Sequence, residues 1–543
     1  MKITAVTIEN FKGFKEPVTF KLKPITLLFG RNSAGKSTII QALNFAREFF
    51  VNYNTAAEKS EIGGDVIDLG GFKNVVHKHD ENLNIKMAFD LELETDCDLP
   101  RYNNVFSDFY VDDREIVDFD AIPLFVKKIK VICTVGKETP KRSSAKLLVY
   151  EIHINNNFFS SISDDGLIIN NSHPNLQIQE YLNDTTIQPL DMGNFLKSDK
   201  VIVNAEEFYC LPLSSMDWEG GLKFDNLQWQ HGVEPLVKAD ILEVLNCLVA
   251  GPGQVLRNMF QSFCYLGPMR QIPKRDYRPS SSTKYSDWSQ GLAAYDILYG
   301  RERGFTDLVL LMNVNKWLSS KDKFNTHYAL KIKSYRELEE KCISRIELRD
   351  KIISEEGFLS KKELAAKIKS RKEQMDEVSD IDIKSLPIKK RLVIKDMVNE
   401  IEVSPQDIGV GISQLLPVIV ASYIDKEIIA IEQPELHLHP AAQTTLGDLF
   451  IDSVNKSKDS NKTFIVETHS EHLLLRILRR IRETADGSFP NPDYPIKPED
   501  VSVLYVDFDS TGSTVLELPV NEDGEFDRPW PNGFFAERIE ELF

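Results

Sequence analysis

Gly30, Gly35, Lys36 and Ser37 stand at the spacing G-x-x-x-x-G-K-[ST], within the run Gly30-Arg31-Asn32-Ser33-Ala34-Gly35-Lys36-Ser37-Thr38. Residues of these types at this spacing hold phosphate. Glycines let the chain fold tightly enough for consecutive amides to face phosphate oxygens. A lysine reaches the β- and γ-phosphates, and the hydroxyl beside it ligates Mg²⁺. The nine residues are therefore candidate nucleotide contacts, and Ser37 is a candidate metal ligand. Arg31 and Asn32 either face solvent or touch the nucleotide. The bland alternative is a Gly/Ser turn ahead of a helix. The setting argues against it: Ile25-Thr26-Leu27-Leu28-Phe29 before the loop reads as a strand, and Ile39-Ile40-Gln41-Ala42-Leu43 after it reads as a helix. A helix N-terminus at that point adds a favourable dipole for an anion. ATP with Mg²⁺ is the expected cofactor pair.

The elements that complete such a site come far downstream. Glu427-Ile428-Ile429-Ala430-Ile431-Glu432-Gln433-Pro434-Glu435 reads as a buried strand ending in acidic residues, the Walker B pattern, with Glu432 expected in the Mg²⁺ shell. A second apolar strand, Thr463-Phe464-Ile465-Val466-Glu467, leads to His469, placed to hydrogen-bond a γ-phosphate. Between the lobes, Asp407-Ile408-Gly409-Val410-Gly411-Ile412-Ser413-Gln414 opens a helix with glycines and a serine. That is another phosphate-binding arrangement, and it makes Gly411, Ser413 and Gln414 candidates. Ser413 could instead be a plain helix N-cap. His437 and His439 alternate in a run that reads as extended, so both would point the same way. No Cys or Asp partner lies nearby, and a metal site is not expected there.

These four pieces, in this order, resemble the ABC-type ATPases, and more closely the ATPases related to the overcoming-lysogenization-defect, RecF and SMC heads. Glu9-Asn10-Phe11-Lys12-Gly13-Phe14, Tyr265-Leu266-Gly267-Pro268-Met269-Arg270 and Glu432-Gln433-Pro434-Glu435-Leu436-His437-Leu438-His439-Pro440 are similar to recurring motifs of that group. The tail, with Gly524-Glu525-Phe526 and Trp530-Pro531-Asn532-Gly533-Phe534-Phe535, resembles ATPase subunits of Septu and retron-linked Septu-like anti-phage systems. The resemblance implies an α/β fold: a P-loop ATPase head split by a long insertion, with an antiparallel side sheet, a helical subdomain and a short helical hairpin. It implies head-to-head pairing, with Ser413 of one subunit meeting nucleotide held by the other. It also implies a regulatory role beside a separately encoded HNH nuclease, with a reverse transcriptase or retron RNA–DNA as a further partner. The alternative is a DNA-repair clamp of the RecF type.

One position departs from the group. An acid pair usually closes the Walker B strand, the second acid activating the attacking water. Here the pair is Glu432-Gln433, and glutamine orients water without accepting its proton. Either Glu435 supplies the base, or hydrolysis is slow and ATP acts as a clamp; the second reading is favoured. The catalytic candidates are thus Glu432, Gln433, Glu435 and His469.

The expected organisation is an N-terminal lobe over 1–95, the side sheet over 96–170, a helical subdomain over 171–333 and the hairpin over 334–388. A C-terminal lobe over 389–520 and an aromatic tail over 521–543 follow. No signal peptide or bilayer-length apolar stretch is visible, and six cysteines lack C-x-x-C spacing, which suits a cytoplasmic protein without zinc or disulfides. A net charge of −18 argues against a whole-surface nucleic-acid binder while leaving room for a local basic groove. The candidates for DNA contact are Arg476, Arg479, Arg480 and Arg482 on one helix, whose buried stripe is expected at Leu474, Leu475, Leu478 and Ile481. Arg270, Lys274, Arg275 and Arg278 form a second cluster. Asp507-Phe508-Asp509 resembles a nuclease metal motif, yet too little chain follows for such a site. It reads as a hairpin turn, so no nuclease is expected in this chain.

Overall fold

The runs Ile25–Gly30, Ile428–Glu432 and Thr463–Glu467 are buried at every residue. Strands with no polar alternation belong in a parallel sheet covered on both faces, and the computed structural model sets these three side by side. It describes residues 1–52, 69–94, 99–100, 126–137, 145–163, 166–170, 172–178, 190–191, 200–201, 242, 244–275, 277, 288–298, 308–336, 388–457, 461–487 and 494–531.

The central sheet runs in the order Phe263–Leu266, Ile428–Glu432, Thr463–Glu467, Ile25–Gly30, Val501–Phe508, Ser513–Glu517. The first five strands are parallel and the last returns antiparallel. The Ile25–Gly30 strand, from the chain's beginning, is wedged between two strands from its end. Neither lobe completes the sheet alone. Phe263–Leu266 comes from the span read as helical. A four-residue apolar run has no periodicity that separates strand from helix.

The helix Lys36–Asn52 is buried on most of its sides, with Arg47 and Glu48 paired to each other within the core. Phe50 stacks on Phe260 with centroids 5.7 Å apart and planes 4° off parallel, and it meets Phe89 edge-on. Phe89 belongs to a second, antiparallel sheet. There Lys2–Glu9 pairs with Val18–Lys21 and Ile85–Glu92, and Lys128–Gly136, Lys146–Ile154, Asn157–Ser163 and Gly166–Ile169 follow in meander. One face of this sheet and the helix share a single core. Asp507–Ser513 makes the hairpin bend between the last two strands of the central sheet, with Asp509 Oδ1 accepting the Thr511 and Gly512 amides.

The described residues form two compact units: Met1–Ile272, Ser282–Ala294 and Gly409–Phe543 in one, Pro273–Ser281 and Tyr295–Ile408 in the other. The first holds everything above. In the second, Tyr328–Tyr335 pairs antiparallel with Lys389–Asp396, and the helix Leu308–Ser319 packs its buried Trp317 beneath Lys323, whose Nζ is 4.0 Å from the ring centroid. Tyr335 lies opposite Lys389. The hairpin expected between them lies outside the described residues. No helix of the described residues is long and apolar enough to cross a membrane.

Candidate nucleotide-binding site

The phosphate loop begins where its strand ends. Gly30 has φ 144° and runs so close to the next strand that a β-carbon there would sit 2.0 Å from the Val506 carbonyl oxygen. Gly35 has φ 112°, again a backbone state that only glycine adopts cheaply. The loop closes through the Ala34 amide to the Arg31 carbonyl (3.3 Å) and the Thr38 amide to the Gly35 carbonyl (3.1 Å). Lys36 opens the helix and is buried, its Nζ donating to the carbonyls of Gly30 (3.0 Å) and Arg31 (2.8 Å). Burial lowers its pKa, and the charge of Glu467 opposes this. Arg31, Asn32 and Ser33 are exposed at the crest, and the Arg31 guanidinium lies 5.7 Å from the centroid of the Phe508 ring.

Ser37 Oγ donates to Glu467 Oε2 at 2.8 Å. The sequence motifs give Glu467 no role. It ends an all-apolar strand just as Glu432 does, and that repeated pattern is the signal that could have found it. The two glutamates are register partners on adjacent parallel strands. Glu432 Oε1 accepts from the Tyr265 hydroxyl at 2.9 Å. Arg270, which closes the Tyr265–Arg270 motif and by sequence has a role only in a basic cluster, is buried beneath the turn and donates from Nη2 to the carbonyls of Glu432 (2.6 Å) and Gln433 (3.3 Å). Burial, and then the charge of Glu467, push Glu432 up to about 7. Burial likewise raises Glu435 and Glu467, and it lowers Arg270 to about 10 against the attraction of Glu435 and Glu432.

Gln433 sits at φ 47° with its amide on the Glu467 carbonyl at 2.7 Å. Glu435 Oε1 accepts the His469 amide at 2.7 Å, while its Oε2 is buried without a hydrogen-bond partner. His469 lies two residues past its strand with an exposed side chain, its pKa lowered by desolvation and then by the charge of Lys36. Glu432, Gln433, Glu435, Glu467 and His469 are thus tied by hydrogen bonds and register to the end of two neighbouring strands, beside the phosphate loop.

Gly411, Ser413 and Gln414 lie in the helix Val410–Tyr423, capped by Gly409, so Ser413 is inside the helix and is not its N-cap. A β-carbon on Gly411 would sit 2.5 Å from the His437 carbonyl oxygen. The Gln414 amide exchanges hydrogen bonds with the Arg270 backbone in both directions. Gly411 therefore lies against the turn after Gln433, and Gln414 is held to Arg270. That turn is not extended: His437 has φ 63°, and His439 caps the helix Pro440–Lys456 by accepting the Ala441 amide.

The arginine helix, Glu471–Ala485, turns much of its charge inward. Arg476 and Arg480 both pair with Asp448, and Arg479 and Arg480 both pair with Glu483. Its buried face is Leu473, Leu474, Ile477, Leu478 and Ile481, and Leu475 is exposed instead. In the second cluster Arg270 is buried in the site, Arg275 pairs with Asp407, and Arg278 lies outside the described residues. The described part of the tail folds onto its own head: Trp530 meets Phe29 edge-on at 5.5 Å, along with Tyr505 and Phe526. Phe534 and Phe535 lie outside the described residues.

The donor set suits a magnesium nucleotide. Ser37, Glu467 and Glu432 offer hard oxygens, and Glu435 Oε2 is a buried acceptor without a donor. Among the described residues no three His, Cys, Asp or Glu side chains form a metal cage of their own.

Two family matches cover most of the chain: an AAA ATPase domain over residues 1–197 and 301–474, and a protein family of unknown function, DUF3696, over 496–543. No curated protein matches. Among solved structures, an SMC head bound to the C-winged helix domain of ScpA is 12% identical, with 96% of this chain and 98% of that chain covered and a TM-score of 0.40. The SMC head domain from Thermotoga maritima is 9% identical, with 96% and 100% covered and a TM-score of 0.35. An Smc head with an extended coiled coil, bound to the C-terminal domain of ScpA derived from Pyrococcus furiosus, is 11% identical, with 99% of each chain covered and a TM-score of 0.36. With the AAA ATPase domain matched over more than half its length, and the phosphate loop and paired strand ends formed as described, the chain belongs to the AAA ATPase domain family.

Proposed function

We infer that the chain is an ATPase head of the SMC/RecF-like type that binds Mg²⁺-ATP, pairs head to head, hydrolyses slowly, and regulates a separately encoded nuclease in a bacterial anti-phage complex of the Septu kind. The carrying observation is the phosphate loop with Lys36 buried at its centre and Ser37 hydrogen-bonded to a strand-end carboxylate. Lys36 would leave the Gly30 and Arg31 carbonyls to hold the β- and γ-phosphates, and Ser37 would turn its hydroxyl to the cation. Bound Mg²⁺ would neutralise charge developing on the transferred phosphoryl oxygens.

Slow turnover is supported at Gln433. Its carboxamide can orient water but cannot take a proton. Glu435 has one oxygen bonded to the His469 amide, which supports a positioning role linking that turn to His469. The defence role and the HNH nuclease partner rest on the motif resemblance alone. A direct DNA role gains little from the arginine helix, because most of its charge is paired internally.

Nucleotide titration tests the site. Lys36→Ala is expected to abolish ATP binding, and unchanged affinity would remove the assignment. Turnover of the natural protein is expected below the roughly 1–10³ per second of ordinary enzymes, with Gln433→Glu raising it. Fast hydrolysis lost on Glu435→Gln would make Glu435 the base. An open reading frame for an HNH nuclease or reverse transcriptase beside this one, and a stable complex with that product, would support the defence reading. DNA cleavage by the purified chain alone would overturn it.

A further inference from the structure

Gln433 carries backbone strain at the centre of the site. Its φ of 47° lies in the left-handed region, which a glutamine seldom adopts. Such a state persists only where its neighbours over-determine it. The Gln433 amide donates to the Glu467 carbonyl at 2.7 Å, and the Gln433 carbonyl accepts from Arg270 Nη2 at 3.3 Å. The Leu436 amide reaches the same carbonyl at 3.3 Å, but from within the turn itself. We propose that Arg270, itself fixed by Gln414, is a positioning residue for hydrolysis: it holds the backbone of the Glu432–Gln433 turn so that the Gln433 carboxamide keeps its orientation toward water. This deepens the slow-hydrolysis reading above and rests on it.

What the guanidinium bonds to decides its role. Arg270 is 3% exposed. Burial lowers its pKa, and the charges of Glu435 and Glu432 oppose this. A guanidinium near carboxylates frequently forms a forked ion pair with one of them. Among the described residues the hydrogen bonds of this one run to main-chain oxygens instead: Glu432 at 2.6 Å and Gln433 at 3.3 Å from Nη2, and Gln414 at 3.5 Å from Nη1. Its Nε–H is buried without a partner among the same residues. A buried donor left unpaired is costly, so the orientation that serves the carbonyls is kept against a penalty. The carboxylates stay clear for other partners. Glu432 accepts from the Tyr265 hydroxyl, and Glu435 accepts the His469 amide.

Arg270 is held as firmly as it holds. Its amide donates to Gln414 Oε1 at 3.2 Å, and its carbonyl accepts from Gln414 Nε2. Gly291, at φ 78°, passes so close that a β-carbon there would sit 3.2 Å from Arg270 Cβ. Main chain and side chain are thus both specified. The planar fork of an arginine can serve two successive carbonyls, whereas the ammonium of a lysine is a point charge without that geometry.

The test uses the full chain with Mg²⁺ and separates binding from turnover. Affinity is read with a fluorescent ATP analogue, and hydrolysis as phosphate release in a single turnover. Arg270→Lys keeps the charge and loses the fork. It is expected to leave affinity within about twofold while phosphate release falls about tenfold or more, the scale set by a small misplacement at a reacting centre. Gln433→Gly removes the carboxamide and, with it, the need to hold a strained backbone. In that background Arg270→Lys is expected to change the rate by less than about twofold, because both substitutions break one path. An equal fold-loss in both backgrounds would make Arg270 a structural residue only and overturn the proposal. Natural-rate release by Arg270→Lys would overturn it too. Gln414→Met keeps the guanidinium and frees the Arg270 backbone. It is expected to show the same split of affinity from rate, an unchanged rate in it counts against the proposal, and it decides the question if Arg270→Lys does not fold. If the natural chain fails to bind the analogue, the nucleotide-site reading fails. If the natural chain binds it and Arg270→Lys loses affinity and rate together, the proposal alone fails.

Discussion

Glu432 and Glu467 are acids buried side by side, and burial of that kind has a pH signature. Glu432 is pushed up to about 7 from 4.5, so the folded protein favours its protonated form. The stability it contributes is fully present below pH 4.5 and is lost as pH rises through about 7. For the nucleotide-free protein the loss is roughly 3 kcal/mol, since a tenfold change in an acidity constant is worth about 1.4 kcal/mol. Burial raises Glu435 and Glu467 as well, which adds in the same direction. Thermal unfolding at pH 5 and pH 8 is expected to show a lower Tm at the higher pH, and Glu432→Gln to flatten that slope. An equal Tm at both values would mean that the ionised acids are fully compensated in the fold. Binding of a magnesium nucleotide should restore stability at pH 8, because the cation removes the repulsion between the two carboxylates.

At the scale of elements, the helix Glu471–Ala485 is held by a charged lattice that its sequence made look like a binding surface. Arg480 is buried among Asp448, Glu483 and the ring of Tyr494. Removing one partner of a buried ion pair leaves the others uncompensated, so Arg480→Met is expected to cost about 3 kcal/mol in chemical denaturation. A change under about 1 kcal/mol would mark the pair as effectively solvated. The helix Val410–Tyr423 gives a second test. Ser413 is 1% exposed, so a bulky charge there would disturb the head itself, whereas Val410 in the first turn is 49% exposed. Val410→Glu is therefore expected to keep ATP binding and to abolish nucleotide-dependent pairing. Light scattering with a non-hydrolysable ATP analogue reads the outcome, and undiminished pairing would remove this helix from the interface.

At the scale of the whole molecule, the P-loop strand has both neighbours in the C-terminal lobe. A fragment of residues 1–100 lacks them and is expected not to bind nucleotide. Co-expression with residues 242–543 should restore binding, and independent binding by the short fragment would show that the shared sheet is dispensable. The tail belongs to the same assembly. Trp530 and Phe526 pack toward Phe29, the residue just before the phosphate loop, and the Gly524 turn lies against the Leu478 carbonyl. Deletion of 521–543 is accordingly expected to lower the Tm and weaken ATP binding together. Loss of partner capture from an otherwise stable, ATP-binding protein would assign the tail to an interface instead.

Much of the chemistry was legible in the sequence because it is local. The phosphate loop depends on glycines, a lysine and a hydroxyl within nine residues, and the flanking strand and helix carry their own apolar signatures. The buried strands ending in acids and the Asp507–Ser513 bend were readable for the same reason: short-range pattern and turn chemistry set them. What only the tertiary structure decided is which of those strands lies next to the loop. Glu432 and Glu467 are equivalent as patterns, each a carboxylate closing a buried strand. Strand order alone brings Glu467 to Ser37 and leaves Glu432 with Tyr265 and Arg270. The same holds for the arginines, whose partner Asp448 comes from a neighbouring helix, and for Trp530, whose contact with Phe29 spans almost the whole chain. Sequence spacing carries no information about such pairings, because they are selected by how buried faces from distant segments close one core together.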